Sequence, residues 1–462
     1  MSLMISISGL RGIVGAGLTP DTLVRYSSAF AEYCNRGPIV IGRDGRITGK
    51  PIAHIVSSTL LSMGCDVIAI GVCPTPTIQL AVERAGAAGG ISVTASHNPM
   101  VWNGLKFLGG SGMFLDAKEN EAFWAIADRS DRRYVPWDKL GRHRQDDSFL
   151  DAHIQAILKL PFLNLEALRK RNFKVVVDCV NAAGGVIVPG LLRTLGCTVI
   201  EMNCDVSGIF AHDPEPVPQN LTDLSRRVAQ EKADLGIAVD PDVDRLVLID
   251  ETGRPIGEEY TIATVVKFVL QKEQERGGLK KKTGGPRVVV NLSTTRAIED
   301  IAAKFGATVI RTPVGEINVA RKMKETEALI GGEGSGGVIL PSVHLGRDAP
   351  VGIALTLQHL AEFAGPMSAL RKSMPDYTIA KAKVEINDLD PKKVIARLAD
   401  RHAGKGRINT EDGLRIDFDD SWVHLRPSNT EPIIRIISEA PNEARAKELG
   451  KIFTKEVLEA LS

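Results

Sequence analysis

The chain has no C-x-x-C pair, no strong net charge, and no apolar stretch near the roughly 20 residues of a membrane span. Each absence excludes a class. Without paired cysteine spacing, a zinc ribbon or a thiol-redox site is not expected. The six cysteines, Cys34, Cys65, Cys73, Cys179, Cys197 and Cys204, mostly lie in or beside apolar runs and read as reduced, buried thiols. A net charge of +1 gives no field to attract nucleic acid or an anionic membrane, so neither is expected as a partner. The segment MSLMISISGLRG lacks a basic stretch followed by a long apolar run, so no signal peptide is read and a cytoplasmic location is expected. What is present is ordinary for a globular protein, 44% apolar and 24% charged residues. At 462 residues the chain is too long for one core.

One pattern recurs three times: an apolar strand, a loop, an amphipathic helix, a glycine, and a second apolar strand. PIVIGRDGR leads to IAHIVSSTLLSMGCDVIAIG. FKVVVDCVNAAGG leads to VIVPGLLRTLGCTVIEMN, and RVVVNLSTT to RAIEDIAAKFGATVIRTP. Gly64, Gly196 and Gly306 each follow the helical pattern, where a left-handed residue ends a helix. Strand, helix and strand on short links mean a parallel βαβ crossover. Three widely spaced copies imply three related α/β domains. The last stretch differs: YTIAKAKVEI, GLRIDFDD, SWVHLRPS and IIRIISEA read as strands, and NEARAKELGKIFTKEVLEAL as a closing helix, an α+β domain. Boundaries are placed to give domains 1–148, 149–253, 254–368 and 369–462. QKEQERGGLKKKTGGP reads as an exposed loop inside the third.

Four segments carry chemistry. In GGISVTASHNP, residues 89–99, an apolar strand opens into a loop bearing Thr94, Ser96, His97 and Asn98, at the strand end where open α/β sheets place their sites. A Ser/Asn turn is the bland alternative. A serine hydrolase is disfavoured because G-x-S-x-G is absent, and because neighbouring Ser96 and His97 point apart along an extended chain. In DLGIAVDPDVDRLVLID, residues 234–250, strands flank Asp240, Asp242 and Asp244. Three carboxylates this close repel unless a hard cation such as magnesium or calcium lies between them. An EF-hand would need glycine where Arg245 stands, and helical flanks. Arg245 adds a cation able to hold phosphate oxygen.

LIGGEGSGGVILP, residues 329–341, sets Glu333 and Ser335 among glycines, a carboxylate and a hydroxyl suited to vicinal sugar hydroxyls. HLRPSNTEPIIRI, residues 424–436, combines Arg426 with Ser428, Asn429 and Thr430, a phosphate-binding set. Each of these two could equally be a surface turn. Arg11 in ISGLRGIVG and Lys106 in NGLKF are further cations close to a glycine.

A serine loop, a metal loop, a sugar-type loop and a phosphate loop, one per expected domain and in that order, resemble the α-D-phosphohexomutase superfamily along essentially the whole chain. TASHNP, the D-x-D-x-D-R loop and RPSNTEP carry the resemblance. It implies four domains around a central cleft and reversible exchange of hexose 6-phosphate and hexose 1-phosphate. Ser96 would carry the phosphoryl group and pass through a hexose 1,6-bisphosphate, which also serves as activator. Mg2+ would be held by Asp240, Asp242, Asp244 and an oxygen on Ser96. Glu333 and Ser335 would hold sugar hydroxyls. Arg426, Ser428, Asn429 and Thr430 would grip the phosphate that does not react. Arg11, His97, Lys106 and Arg245 would line the reaction centre, with Lys106 the general acid/base if burial and neighbouring cations lower its pKa.

The expected partner is a small phosphosugar, the protein acting as monomer or homodimer. The motifs look most like members assigned as phosphoglucosamine mutases, with phosphoglucomutase/phosphomannomutase the alternative. A non-catalytic sugar-phosphate sensor is the rival from another class, and it would not need Ser96 or the aspartates. Two positions depart from the family. Many bacterial members carry histidine two residues after the sugar-loop serine, where this chain has Gly337, so proton transfer assigned to that histidine does not carry over. The metal loop is DPDVDR where DGDGDR or DGDADR is common, with all three carboxylates kept.

Overall fold

Valine-rich runs become the inner strands of three sheets. Ile39–Arg43, Lys174–Asp178 and Arg287–Asn291 are buried on both faces along most of their length, as parallel strands covered by helices must be. This computed structural model describes residues 3–278, 285–386, 390–428 and 433–461.

Each recurring segment builds the same four-strand set. In the first sheet, Trp102–Gly109, Gly89–Val93, Ile39–Arg43 and Val67–Val72 lie side by side. The second repeats this with Leu246–Asp250, Leu235–Val239, Lys174–Asp178 and Thr198–Met202. The third does so with Gly337–Ile339, Ile330–Glu333, Arg287–Asn291 and Thr308–Thr312. The last three strands of every set pair in parallel; the first is antiparallel to its neighbour. The crossovers are the βαβ units expected from sequence, and Gly64, Gly196 and Gly306 all have positive φ, between 64° and 89°. The first sheet gains Met4–Ser6 and Gly9–Ile13 on one edge and His143–Gln145 on the other.

The fourth sheet is wholly antiparallel: Thr378–Glu385, Ile433–Ala440, Trp422–Pro427, Leu414–Asp417 and Arg407–Asn409. Helices Pro391–Arg401 and Glu443–Leu461 accompany it, around a separate core that includes Val384, Leu398, Ile416 and Phe453. The architecture is therefore three α/β units and one α+β unit.

The repeated strand order has a consequence for function. The three motif loops at 94–101, 240–245 and 334–336 each join a parallel strand to the antiparallel strand beside it. Residues expected to carry chemistry thus occupy equivalent corners of three equivalent sheets.

The segment read as a long exposed loop is shorter than expected. Helix Glu258–Glu275 runs through QKEQE, because the buried row from Tyr260 to Leu270 carries the helix past the point where its surface turns polar. Residues 279–284, the rest of that segment's basic part, lie outside the described residues. All six cysteines are free; Cys197 and Cys204 are partly exposed and the others buried. Among the described residues no helix is long and apolar enough to cross a membrane.

Helix Ala349–Phe363 is buried all round from Ala349 to Leu360, between the second and third sheets. His359 on it is 4% exposed, lies against Phe268, and donates through Nδ1 to Thr264 O at 3.1 Å. Burial, then Lys267, pushes its pKa down to about 4 from 6.5. An unfolded chain takes up this proton as pH falls below 6.5, whereas the folded chain does not until about 4. The stabilising contribution is therefore complete above pH 6.5 and disappears between 6.5 and 4, an expected loss of about 3 kcal/mol. Denaturant unfolding at pH 7 and 4.5 should show a steeper loss for wild type than for His359→Gln; equal slopes would count against this assignment.

Candidate active site

The loop after Gly89–Val93 turns back sharply at Ser96, whose φ is +51°, a left-handed conformation costing about 1–2 kcal/mol in a residue with a β-carbon. The surroundings hold it there. Ser96 N–H donates to Thr94 Oγ1 at 2.9 Å, and Thr94 Oγ1 donates to Asp44 Oδ2 at 2.7 Å. Arg46, fully buried, directs all five of its N–H bonds inward. Nε donates to Asp44 Oδ2, Nη1 to the carbonyls of Pro99 and Trp102, and Nη2 to those of Ser96 and Asn98. One guanidinium thus fixes four carbonyls around the turn.

This turn also corrects an expectation about His97. Its Nδ1 lies 3.4 Å from Ser96 Oγ, because the left-handed residue breaks the extended chain that would have sent the two side chains apart. Burial, then the charges of Arg245 and Arg11, hold the His97 pKa down at about 2, so its ring is neutral.

The acidic loop closes over the serine. Asp240 Oδ1 accepts from the backbone N–H groups of Asp244 and Arg245, both at 3.1 Å, which leaves Oδ2 turned to Ser96 Oγ at 3.2 Å. Asp242 is anchored from the first sheet: Thr75 N–H donates to its carbonyl and Thr75 Oγ1 to its Oδ2, each at 2.9 Å. Lys106 Nζ sits 2.6 Å from Asp242 Oδ2 and 3.2 Å from Asp244 Oδ2. Burial opposes the Lys106 charge, but Asp242 and Asp244 outweigh it and raise the pKa. The expected lowering is thus reversed, because two carboxylates contact the amine directly. Arg11 Nη1 donates to Asn98 Oδ1 at 2.9 Å, and Arg245 Nη1 lies 3.8 Å from Glu215 Oε1.

Oxygens of Asp240, Asp242 and Asp244 lie within 4.8 Å of one another, all three side chains fully buried. Burial, then Asp244 and Asp242, raise the Asp240 pKa well above the carboxylate range. Asp242 Oδ1 and Asp244 Oδ1 are buried with no hydrogen-bond partner among the described residues. Crowded carboxylates with two orphaned oxygens fit a hard divalent cation such as Mg2+. A second group of donors, His153, His344 and Asp348, is equally close but already paired within itself: both imidazole Nε2 atoms pair with Asp348 Oδ2, at 2.7 and 2.9 Å, while His344 Nδ1 is buried with no partner among the described residues.

The sugar-type loop reaches this centre through Arg347. Its Nη2 donates to Asp244 Oδ2 at 2.6 Å, Nη1 to Glu333 Oε2 at 2.7 Å and Nε to Glu316 Oε2 at 3.1 Å. Burial works against Asp244's charge, but Arg347, Lys106 and Arg245 prevail and lower its pKa. Glu333 Oε1 is held by Asn291 Nδ2 at 2.8 Å and Gly315 N–H at 3.0 Å, leaving capacity on Oε2. Ser335 is half-buried nearby in the chain.

Of the phosphate-loop residues, Arg426 stands on strand Trp422–Pro427 of the fourth sheet and Ser428 directly follows it. Arg426 Nε pairs there with Asp412 at 2.9 Å, and Asp412 Oδ2 accepts from Val314 N–H of the third unit, also at 2.9 Å. Ser428 N–H donates to Ile433 O at 2.9 Å. Asn429 and Thr430 lie outside the described residues.

Comparison with known proteins agrees with this geometry. The chain matches four families in succession: Phosphoglucomutase/phosphomannomutase alpha/beta/alpha domain I at residues 4–133, domain II at 151–253, domain III at 259–377, and the C-terminal domain at 381–455. It is 37% identical over 456 residues to a probable phosphoglucosamine mutase of Methanopyrus kandleri, covering 98% of this chain and 97% of that one. The chain belongs to the phosphoglucomutase/phosphomannomutase family.

A further relative in this family, a phosphoglucomutase/phosphomannomutase of Thermococcus kodakarensis, is 38% identical, with both chains covered in full. A solved family structure from Burkholderia thailandensis superposes with a TM-score of 0.83 at 27% identity, covering 99% of this chain and 98% of that one. Sequence reasoning missed two arginines of this family member, Arg46 and Arg347. The available signal was a charged pair set in an otherwise apolar or glycine-rich stretch, GRDGR and LGRDAPVGIAL.

Proposed function

We propose that this phosphohexomutase moves a phosphoryl group between O1 and O6 of a hexose by way of phospho-Ser96. The observation that carries the reading is the approach of Ser96 Oγ to Asp240 Oδ2, 3.2 Å across 144 residues of chain, beside two further aspartates. Asp240, Asp242, Asp244 and an oxygen on Ser96 would hold Mg2+, which when bound supplies charge neutralisation for the transferring phosphoryl group.

The chain's own residues do the rest. The Arg46 turn presents Ser96 Oγ to a sugar hydroxyl. Arg11, Arg245 and Lys106 bring positive charge to the reacting oxygens. Half-buried, neutral His97 can share a hydrogen bond with Ser96 Oγ. Glu333 and Ser335 hold sugar hydroxyls and so orient the ring. Arg426, Ser428, Asn429 and Thr430 take the phosphate at the far end. A half-reaction transfers phosphoryl from Ser96 to one hydroxyl, giving the 1,6-bisphosphate. After the intermediate turns round, the other phosphate returns to Ser96. We further propose domain divisions near residues 148, 253 and 368; the limits of the family matches support the first two, whereas the third match runs on to residue 377.

Glucosamine 6-phosphate is the proposed substrate, supported by the motif pattern and by the names of several relatives. The test is a panel of glucosamine, glucose and mannose 6-phosphates with Mg2+ and a bisphosphate activator. Conversion to 1-phosphates with little free phosphate released is expected, fastest for glucosamine. Stoichiometric phosphate release would mark a phosphatase, and binding without conversion a sensor.

A further inference from the structure

The space beside Gly337 is filled by Arg347. A β-carbon built on Gly337 would lie 2.3 Å from Arg347 Cδ, 3.0 Å from Cγ and 3.4 Å from Nε. This part of the arginine cannot swing aside cheaply, because its guanidinium is tied to three carboxylates on three different segments. Asp244 belongs to the metal loop, Glu333 to the sugar-type loop, and Glu316 to the start of helix Glu316–Thr326. The backbone is tied as well. Arg347 N–H donates to Glu316 Oε1 at 3.2 Å, and Gln79 Nε2 of the first unit donates to the same oxygen at 3.1 Å. The next residue, Asp348, is gripped by His153 and His344. Arg347 therefore leaves a rigid base and spans two functional loops with one planar group, which suits a guanidinium and not an ammonium.

We propose that Arg347 is a positioning residue that locks the metal loop to the sugar-binding loop, and that Gly337 is the opening that admits it. The contact on Asp244 falls on Oδ2 and leaves Oδ1 free of hydrogen bonds, so the arginine holds the carboxylate with one oxygen left over for a cation. The contact on Glu333 falls on Oε2, opposite the oxygen held by Asn291 and Gly315, and fixes the carboxylate plane against which a sugar hydroxyl would dock. Metal affinity and sugar affinity then depend on the same side chain. This inference rests on the mutase reading for its sugar half and on the aspartate geometry for its metal half.

The test is a double-mutant cycle with Arg347→Met and Gly337→Ala, reading Mg2+ binding by calorimetry and kcat and KM for the hexose phosphate separately. Arg347→Met should weaken Mg2+ binding by about 10–100-fold, the usual effect of removing the partner of a ligating carboxylate. At saturating Mg2+ it should raise KM by more than it lowers kcat. Gly337→Ala should move both readouts the same way while keeping every charge. Arg347→Lys should recover only part of the Mg2+ affinity. On the Arg347→Met background, Gly337→Ala should add almost nothing, because the clash partner is gone. Mg2+ affinity in Arg347→Met within twofold of wild type, or full additivity of the two changes, would overturn the proposal. If wild type leaves hexose phosphates unconverted, the mutase reading fails, and the Mg2+ titrations still decide the positioning role.

Discussion

Ser96→Ala is expected to remove mutase activity down to background, a loss of at least about 1,000-fold, while leaving the fold intact. The hydroxyl makes one donated bond, to Asp240, and approaches His97; the turn itself is held through the backbone of Ser96 by Thr94 and Arg46. Loss of that donated bond should cost no more than about 1 kcal/mol. Stability and activity therefore separate in this variant, with an unfolding midpoint close to wild type and no turnover. Phosphopeptide mapping supplies the second readout: wild type incubated with the bisphosphate should carry phosphate at Ser96, and the variant none there. Retained turnover in Ser96→Ala would sink the phosphoserine mechanism whatever the metal does.

Arg46→Met is expected to behave in the opposite way, damaging stability and activity together. It would take a donor from five acceptors and leave the Asp44 carboxylate in the interior without its countercharge. Burial already acts to raise the Asp44 pKa against the help of Arg46 and Thr94. Removing one partner of a buried, hydrogen-bonded ion pair costs about 3–5 kcal/mol. The left-handed Ser96 backbone should then relax, and activity should fall by at least about 100-fold. Arg46→Met combined with Asp44→Asn should recover much of the lost stability, since no charge is left buried, but little of the activity. Full recovery of activity in that pair would show that the guanidinium is not what shapes the turn.

Much of this was legible in the order of residues. The strand–helix–glycine–strand pattern is local, so each copy could be read where it stands, and positive φ at Gly64, Gly196 and Gly306 bears the reading out. TASHNP and DPDVDR were legible for the same reason: their polar groups are bunched between apolar runs. What could not be read is pairing across distance. Arg46 looked like any loop arginine in GRDGR, and nothing near it in sequence says that its four carbonyl acceptors lie 50 to 56 residues on. Arg347 lies 103 residues from Asp244, and Gly337 looked like an absent histidine rather than a socket. The direction of the Lys106 shift failed similarly. Burial was foreseeable; two carboxylates in contact with the amine were not. The strand order of the first three sheets, with three of the four motif loops at the same corner, also emerged only in three dimensions.

The guanidinium bridge between Asp244 and Glu333 bears on how such an enzyme could be divided. A piece spanning the first two units would carry both the serine and the acidic triplet, so it would own every atom named in the phosphoryl-transfer step. It would lack Arg347, and Asp244 would keep only Lys106 of the two cations that contact its Oδ2. Modularity here is architectural: repeating units supply equivalent corners, and the Arg347 bridge ties the second unit to the third.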